Sequence, residues 1–202
     1  MKILFKKLEP YKGIIYFIVI LLLSNFFWKL TVKGDDSDAL VTFLGLDISA
    51  PFNFMVYHIT GAASNVLYLF DSDVMQKNCV LFYENGHGIR VVWGCTGIKQ
   101  AYIFFCIIAF THGPWKKKLW YIPAGLVVVY LFNLLRIIVI VTTAKNHFEW
   151  FHFLHEYLLK YIFYGMIFLM WVFWDEKIAG KNLKMKLSQK SNEHTEFTEI
   201  TE

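Results

Sequence analysis

Charge is the scarce commodity in this chain. Asp, Glu, Lys and Arg supply 18% of its 202 residues, while 56% are hydrophobic and 19% aromatic, a balance that excludes an ordinary soluble globular domain. Other absences narrow the reading. No small-residue cleavage site follows the first apolar stretch, so the lysine-preceded segment at residues 1–24 reads as a retained first helix rather than a removed signal peptide. No complete set of metal ligands occurs at a known spacing, since His58 and His87 are scattered, so neither a metal nor another cofactor is expected. No inverted repeat supports a transporter, and nothing suggests a nucleotide site or a nucleic-acid partner.

What is present is a set of five apolar runs, 14–30, 51–70, 97–110, 119–143 and 158–174, to be set against the roughly 20 residues a helical membrane span requires. The fold class expected is an all-α integral membrane protein with four to five transmembrane helices. Residues 1–180 form one multi-pass domain and 181–202 a polar, disordered cytoplasmic tail. Basic residues favour the cytoplasmic side of short loops. They cluster at Lys2, Lys6, Lys7 and Lys12, at Lys116, Lys117 and Lys118, and at Lys177, Lys181, Lys184, Lys186 and Lys190. The other connections carry only Lys33, Lys77, Arg90 and Lys145 among several acids and read as extracytoplasmic.

An inside amino terminus and an inside loop at Lys116 to Lys118 require an even number of crossings between them. The run at 51–70 is the weakest, because Asn53, His58, Thr60, Gly61, Ser64 and Asn65 interrupt it. It is expected to be an interfacial or half-embedded helix, leaving four full spans, with five spans as the rival count. The stretch 84–88, between two apolar segments, reads as the turn of a short outer hairpin.

This topology gathers chemistry at the outer face. Cys95 opens the third run between Gly94 and Gly97, where the start of a helix favours an anion. Arg136 lies 17 residues into the fourth run counted from Leu119, roughly 26 Å along a helix and so in the outer part of a hydrocarbon layer about 30 Å thick. Asn133 shares its helical face and could orient it or contact a substrate. His147, His152 and His155 occupy the loop above the last run, and either His152 or His155 could serve as a base. A thiolate nucleophile, a histidine that takes and returns its proton, and an arginine facing the oxyanion are the parts of an acyl-transfer site. Gly94 and Gly97 would let a substrate backbone approach, or else serve as turn and packing residues. A Cys79–Cys95 disulfide is an alternative that would silence the nucleophile, and Cys106 reads as a packing residue.

Three short motifs together resemble the exosortase/archaeosortase group of membrane transpeptidases. They are Cys95-Thr96-Gly97, Asn133-Leu134-Leu135-Arg136-Ile137, and His155-Glu156 with Phe163 eight residues later. The resemblance covers residues 90–175 and favours His155 as the histidine of the site. It implies a cysteine-dependent peptidase or transpeptidase in the cell membrane, multi-pass, with its active site facing outward. It also implies partners: secreted proteins bearing a carboxyl-terminal motif, an apolar helix and a basic tail, and a lipid or glycan acceptor at the surface, alongside the membrane lipid itself. The chain departs from the group in its small size and in Leu159 standing where a glycine is usual soon after the histidine, before Gly165. The alternative function is a non-catalytic membrane assembly factor for surface polymers or proteins, in which replacing Cys95 would be silent.

Overall fold

The computed structural model of the chain describes residues 12–35, 40–70, 73–83, 88–146, 148–150 and 153–180. The expected disordered tail, the hairpin turn at 84–87, His87, His147 and His152 lie outside the described residues. Among the described residues five α-helices carry the fold: α1 (Lys12–Thr31), α2 (Ser49–Tyr68), α3 (Ile98–Phe110), α4 (Trp115–Asn146) and α5 (Leu159–Phe173). π-helical turns at Leu154–Leu158 and Trp174–Ala179 extend α5 at both ends.

The fold is mostly helical rather than all-α. Among the described residues six short strands form two antiparallel three-stranded sheets. The first is β1 (Val32–Asp35), β2 (Leu40–Phe43) and β3 (Leu46–Asp47); the second is β4 (Val74–Lys77), β5 (Val80–Tyr83) and β6 (Gly88–Arg90). Strands β5 and β6 pair with Val80 opposite Arg90 and Phe82 opposite Gly88. In β5 the pleat turns Leu81 and Tyr83 inward while Val80 and Phe82 stay partly exposed. Strands of two to four residues are too short to carry a periodic signal, which is why the sequence shows so little of them.

Helix α1 is apolar around its whole circumference, and Leu22, Leu23 and Phe26 remain 60%, 62% and 66% exposed. In water that would be a large uncovered patch, whereas lipid covers it without further contacts. Among the described residues two helices are by themselves long and apolar enough to cross a membrane, Gly13–Thr31 and Trp115–Lys145. The apolar stretch of α3, Ile98–Phe110, has 13 residues. Helix α2 has one buried face (Phe52, Val56, Ile59, Thr60, Ala63 and Leu67) that packs over the second sheet and α4.

The interior divides into three clusters. One joins α1, α3, α4 and α5 around Phe104, Ile107, Val129, Phe163 and Ile167. A second joins α2, the second sheet and α4 around Ile59, Leu81, Ile137 and Val141. A third sits under the first sheet at Trp28, Val32, Val41 and Phe52. Helix α4 serves both larger clusters, and the polar residues of interest stand where they meet.

At the other end of α3 the lysine cluster expected as a loop is partly built in. Lys116 and Lys117 are exposed, but Lys118 is 4% exposed. Its Nζ donates to the Ala109 carbonyl at 2.7 Å and to the Thr111 carbonyl. A cation at a helix C-terminus meets the carbonyls left without intrahelical partners and the negative end of the dipole.

Candidate active site

The segment before α3 is a single 3₁₀ turn, Trp93–Cys95, followed by Thr96 and Gly97. Thr96 fixes this turn from within: its hydroxyl donates to the Trp93 carbonyl at 2.7 Å and accepts from the Ile98 amide at 3.4 Å. The Cys95 amide donates to the Val92 carbonyl at 2.8 Å. Cys95 therefore sits three residues before the first residue of α3, close to the positive end of its dipole, where a thiolate is favoured. Its side chain is half-buried against the cluster that contains Ile137 and Val141. Among the described residues no disulfide joins Cys79, Cys95 and Cys106.

Gly97 explains how this turn meets α4. Its φ is +79°, a left-handed conformation that favours glycine, and a Cβ there would lie 2.8 Å from Cγ of Asn133. The absent side chain lets Asn133, fully buried, seat directly on the turn. Its Nδ2 donates to the Cys95 carbonyl at 2.9 Å, while its Oδ1 has no partner among the described residues. Gly94 is different, because a Cβ there would meet nothing within 4 Å. It borders open space.

That space is a cavity of about 370 Å³. Arg136, one turn beyond Asn133 on α4, lines it with only 8% of its surface exposed, and its Nε has no hydrogen-bond partner among the described residues. Gly94 and Trp93 form the wall that belongs to the cysteine turn. Lys29 of α1, Lys99 of α3 and Lys160 and Tyr164 of α5 complete the polar lining with Gln100. Cys95, Gly97 and Asn133 are thus joined by direct contact, and Gly94 and Arg136 share one cavity. His155 lies on the π-helical turn Leu154–Leu158, one turn before Lys160, but the side chains of His155 and Glu156 lie outside the described residues. No group of three or more His, Cys, Asp or Glu able to hold a metal occurs among the described residues.

A family model described as transmembrane exosortase matches residues 39–173, more than half of the chain. The chain belongs to the transmembrane exosortase family. It is therefore a membrane protein of a peptidase-like family concerned with sorting or processing. The matched residues contain the cysteine turn, Asn133, Arg136 and His155 together. No curated relative and no solved structure matches the chain.

The sequence reading missed the three lysines of the cavity, although a signal for them was present. Of 20 basic residues, all but four fall in the amino terminus, the tail or the connections. The remaining four are Lys29, Lys99, Arg136 and Lys160, one in each of the four more apolar runs. The isolated charge in each run was the clue, because a charged residue within an apolar helix faces a partner or a cavity.

Proposed function

We propose that the protein is a membrane cysteine transpeptidase that cleaves carboxyl-terminal sorting signals of secreted proteins on the extracytoplasmic side of the cell membrane and transfers them to a surface acceptor. The observation that carries this reading is the Asn133 contact. One side chain holds the Cys95 carbonyl and packs on Gly97, one helical turn from Arg136, so the cysteine turn and the arginine helix move as a unit. Such rigidity suits a nucleophile that must stay aligned with an oxyanion partner. In this reading α1, α3, α4 and α5 span the bilayer, with π-helical turns lengthening α5, and α2 lies half-embedded at the outer interface with the second sheet. The basic amino terminus and tail are then cytoplasmic.

Each residue has a chemical role. His155 accepts the thiol proton, and the Cys95 thiolate attacks the scissile carbonyl carbon, forming a C–S bond as the carbonyl electrons move onto oxygen. Arg136 stabilises that oxyanion. Collapse breaks the C–N bond, His155 returns the proton to the leaving amine, and a thioester remains. A nucleophile on the acceptor, deprotonated by His155, attacks the thioester and restores the thiol. Asn133 and Gly97 position the turn, and Gly94 leaves room for substrate backbone.

The test is quantitative carboxyl-terminal proteomics of surface proteins in the native host, comparing wild type with Cys95→Ala at matched membrane abundance. Retention of apolar, basic-ended tails only in the variant is the expected result. Identical trimming in both strains would reject the nucleophile and favour the assembly-factor alternative.

A further inference from the structure

The cavity beside the cysteine turn carries more positive charge than one oxyanion requires. Lys29, Lys99, Arg136 and Lys160 reach it from four different helices, and no Asp or Glu lines it among the described residues. Lys29, Lys99 and Lys160 line this one space together. None of the four cations makes an ion pair among the described residues, whereas Lys145 pairs with Asp73 at 3.7 Å. Lys29 and Lys160 are exposed and Lys99 is half-buried, but like charges gathered around one half-enclosed space still repel, and burying Arg136 without an anionic partner is unfavourable. An arrangement of this kind is relieved by a bound anion.

The hydrogen-bonding groups point the same way. Arg136 is more than nine-tenths buried and its Nε–H lacks an acceptor. A carboxylate can be satisfied by a single bidentate arginine, which would leave three ammonium groups uncompensated. A phosphate or diphosphate offers more oxygens and up to two or more negative charges, and lysines serve it as point charges. Trp28, Val32 and Phe52 give the cavity an apolar side for whatever the phosphate is attached to.

We propose that this cavity is a binding site for a phosphate-bearing anion, either a lipid headgroup or a soluble phosphate ester, held by Lys29, Lys99, Arg136 and Lys160. The site shares Arg136 with the peptidase reading but does not rest on it, because it requires binding and no turnover. The full chain, purified in the phosphate-free detergent dodecyl maltoside, is titrated calorimetrically with decyl phosphate, inorganic phosphate and inorganic diphosphate. Decanol and triglutamate are the controls. At least one phosphate probe should bind at a single saturable site, more weakly as salt rises. Lys99→Gln and Lys160→Gln should each weaken it about tenfold, while Lys116→Gln, on the exposed surface at the far end of α3, leaves it unchanged. Lys160 is itself exposed, so its replacement keeps the comparison valid if Lys99→Gln disturbs folding.

Binding of decyl phosphate alone supports the site and assigns a lipid-type headgroup. Comparable binding of an inorganic probe supports it and assigns a soluble ester. The proposal is overturned if no phosphate probe binds, if decanol binds as well as decyl phosphate, or if both lysine variants bind like wild type. Tighter binding of triglutamate than of every phosphate probe would overturn it in favour of an acidic-peptide subsite. Cys95→Ala protein should give the same isotherms, so failure of the nucleophile assignment and failure of the anion site are read separately.

Discussion

At its C-terminal end α3 runs into α4 through a turn whose polar groups find partners. Lys118 binds two carbonyls, Trp174 Nε1 donates to the His112 carbonyl at 3.1 Å, and the Thr111 hydroxyl donates to the Ile107 carbonyl at 2.6 Å. Its N-terminal end, little more than a dozen residues away, holds four buried polar atoms without partners among the described residues: Trp93 Nε1, Gln100 Oε1, Asn133 Oδ1 and Arg136 Nε. Each unmet group of this kind costs about 1–3 kcal/mol. Both ends use a left-handed glycine pressed against a large side chain, Gly113 on Trp174 and Gly97 on Asn133. The backbone device is shared, so the difference lies in what the polar groups are kept for. One end closes the bundle with its polar groups paired, and the other carries unmet hydrogen-bonding groups beside the cysteine turn.

The sharpest way to break the comparison is Gly97→Ala. A Cβ there is strained by the positive φ and collides with Asn133, so the cysteine turn must shift relative to Arg136. A displacement of about 1 Å can cost on the order of 100-fold in rate, and processing in a reconstituted cleavage assay should fall by that order. Adding Asn133→Ala relieves the collision and should restore part of the thermal stability without restoring activity, because the bond to the Cys95 carbonyl is then gone. Strictly additive effects of the two changes would show that the contact does not couple them.

The closing end should respond in the opposite sense. Lys118→Met removes two charge-assisted bonds and leaves carbonyls uncapped, for a loss of about 1.5–3 kcal/mol. Gly113→Ala, at φ +145° with a Cβ 2.7 Å from Trp174, should cost a similar amount, about 1–3 kcal/mol. Both should lower the thermal midpoint in detergent while activity per folded molecule stays near wild type. A large drop in specific activity at unchanged stability would mean that this end also takes part in function.

The smallest effect concerns the entry to α2. The Asp47 carboxylate accepts from the Ser49 hydroxyl at 2.5 Å and from the Ser49 amide at 2.8 Å. These bonds, the hydroxyl first, hold its pKa below the ordinary carboxylate value. A depressed folded pKa stabilises above the unfolded value of about 3.9 and is lost as pH falls through the folded one. Asp47→Asn should therefore lower the midpoint slightly at pH 7, with the difference shrinking as the pH drops below about 3.9. An equal difference at pH 7 and pH 3 would remove the carboxylate from the account.

The legible parts of this protein are those written in local pattern. The four more apolar runs became α1, α3, α4 and α5, and 51–70 became a helix with one buried face. The Asn133 and Arg136 pair was visible as a three-residue spacing on one helical face, and Cys95 as a cysteine flanked by glycines at a helix start. Apart from the segments read as flanking the turn at 84–88, the strands were not legible, because those of the first sheet have two to four residues, too few for alternation to show. Lys118 read as a loop charge, since nothing local says that its side chain folds back on the helix before it. The cavity lysines were hidden for a related reason: each is a lone charge near the end of a run, as an ordinary interfacial anchor would be.

By itself the sequence determined the class of this protein, because apolar length and scarcity of charge decide whether a chain can live in lipid irrespective of how its helices pack. It also determined the order of the cysteine, arginine and histidine motifs along the chain. Only the tertiary structure decided that Asn133 grips the cysteine turn through a gap left by Gly97, and that four cations from four helices face one cavity. Those are contacts between residues tens of positions apart, and their energy depends on distance and burial, which no local pattern encodes.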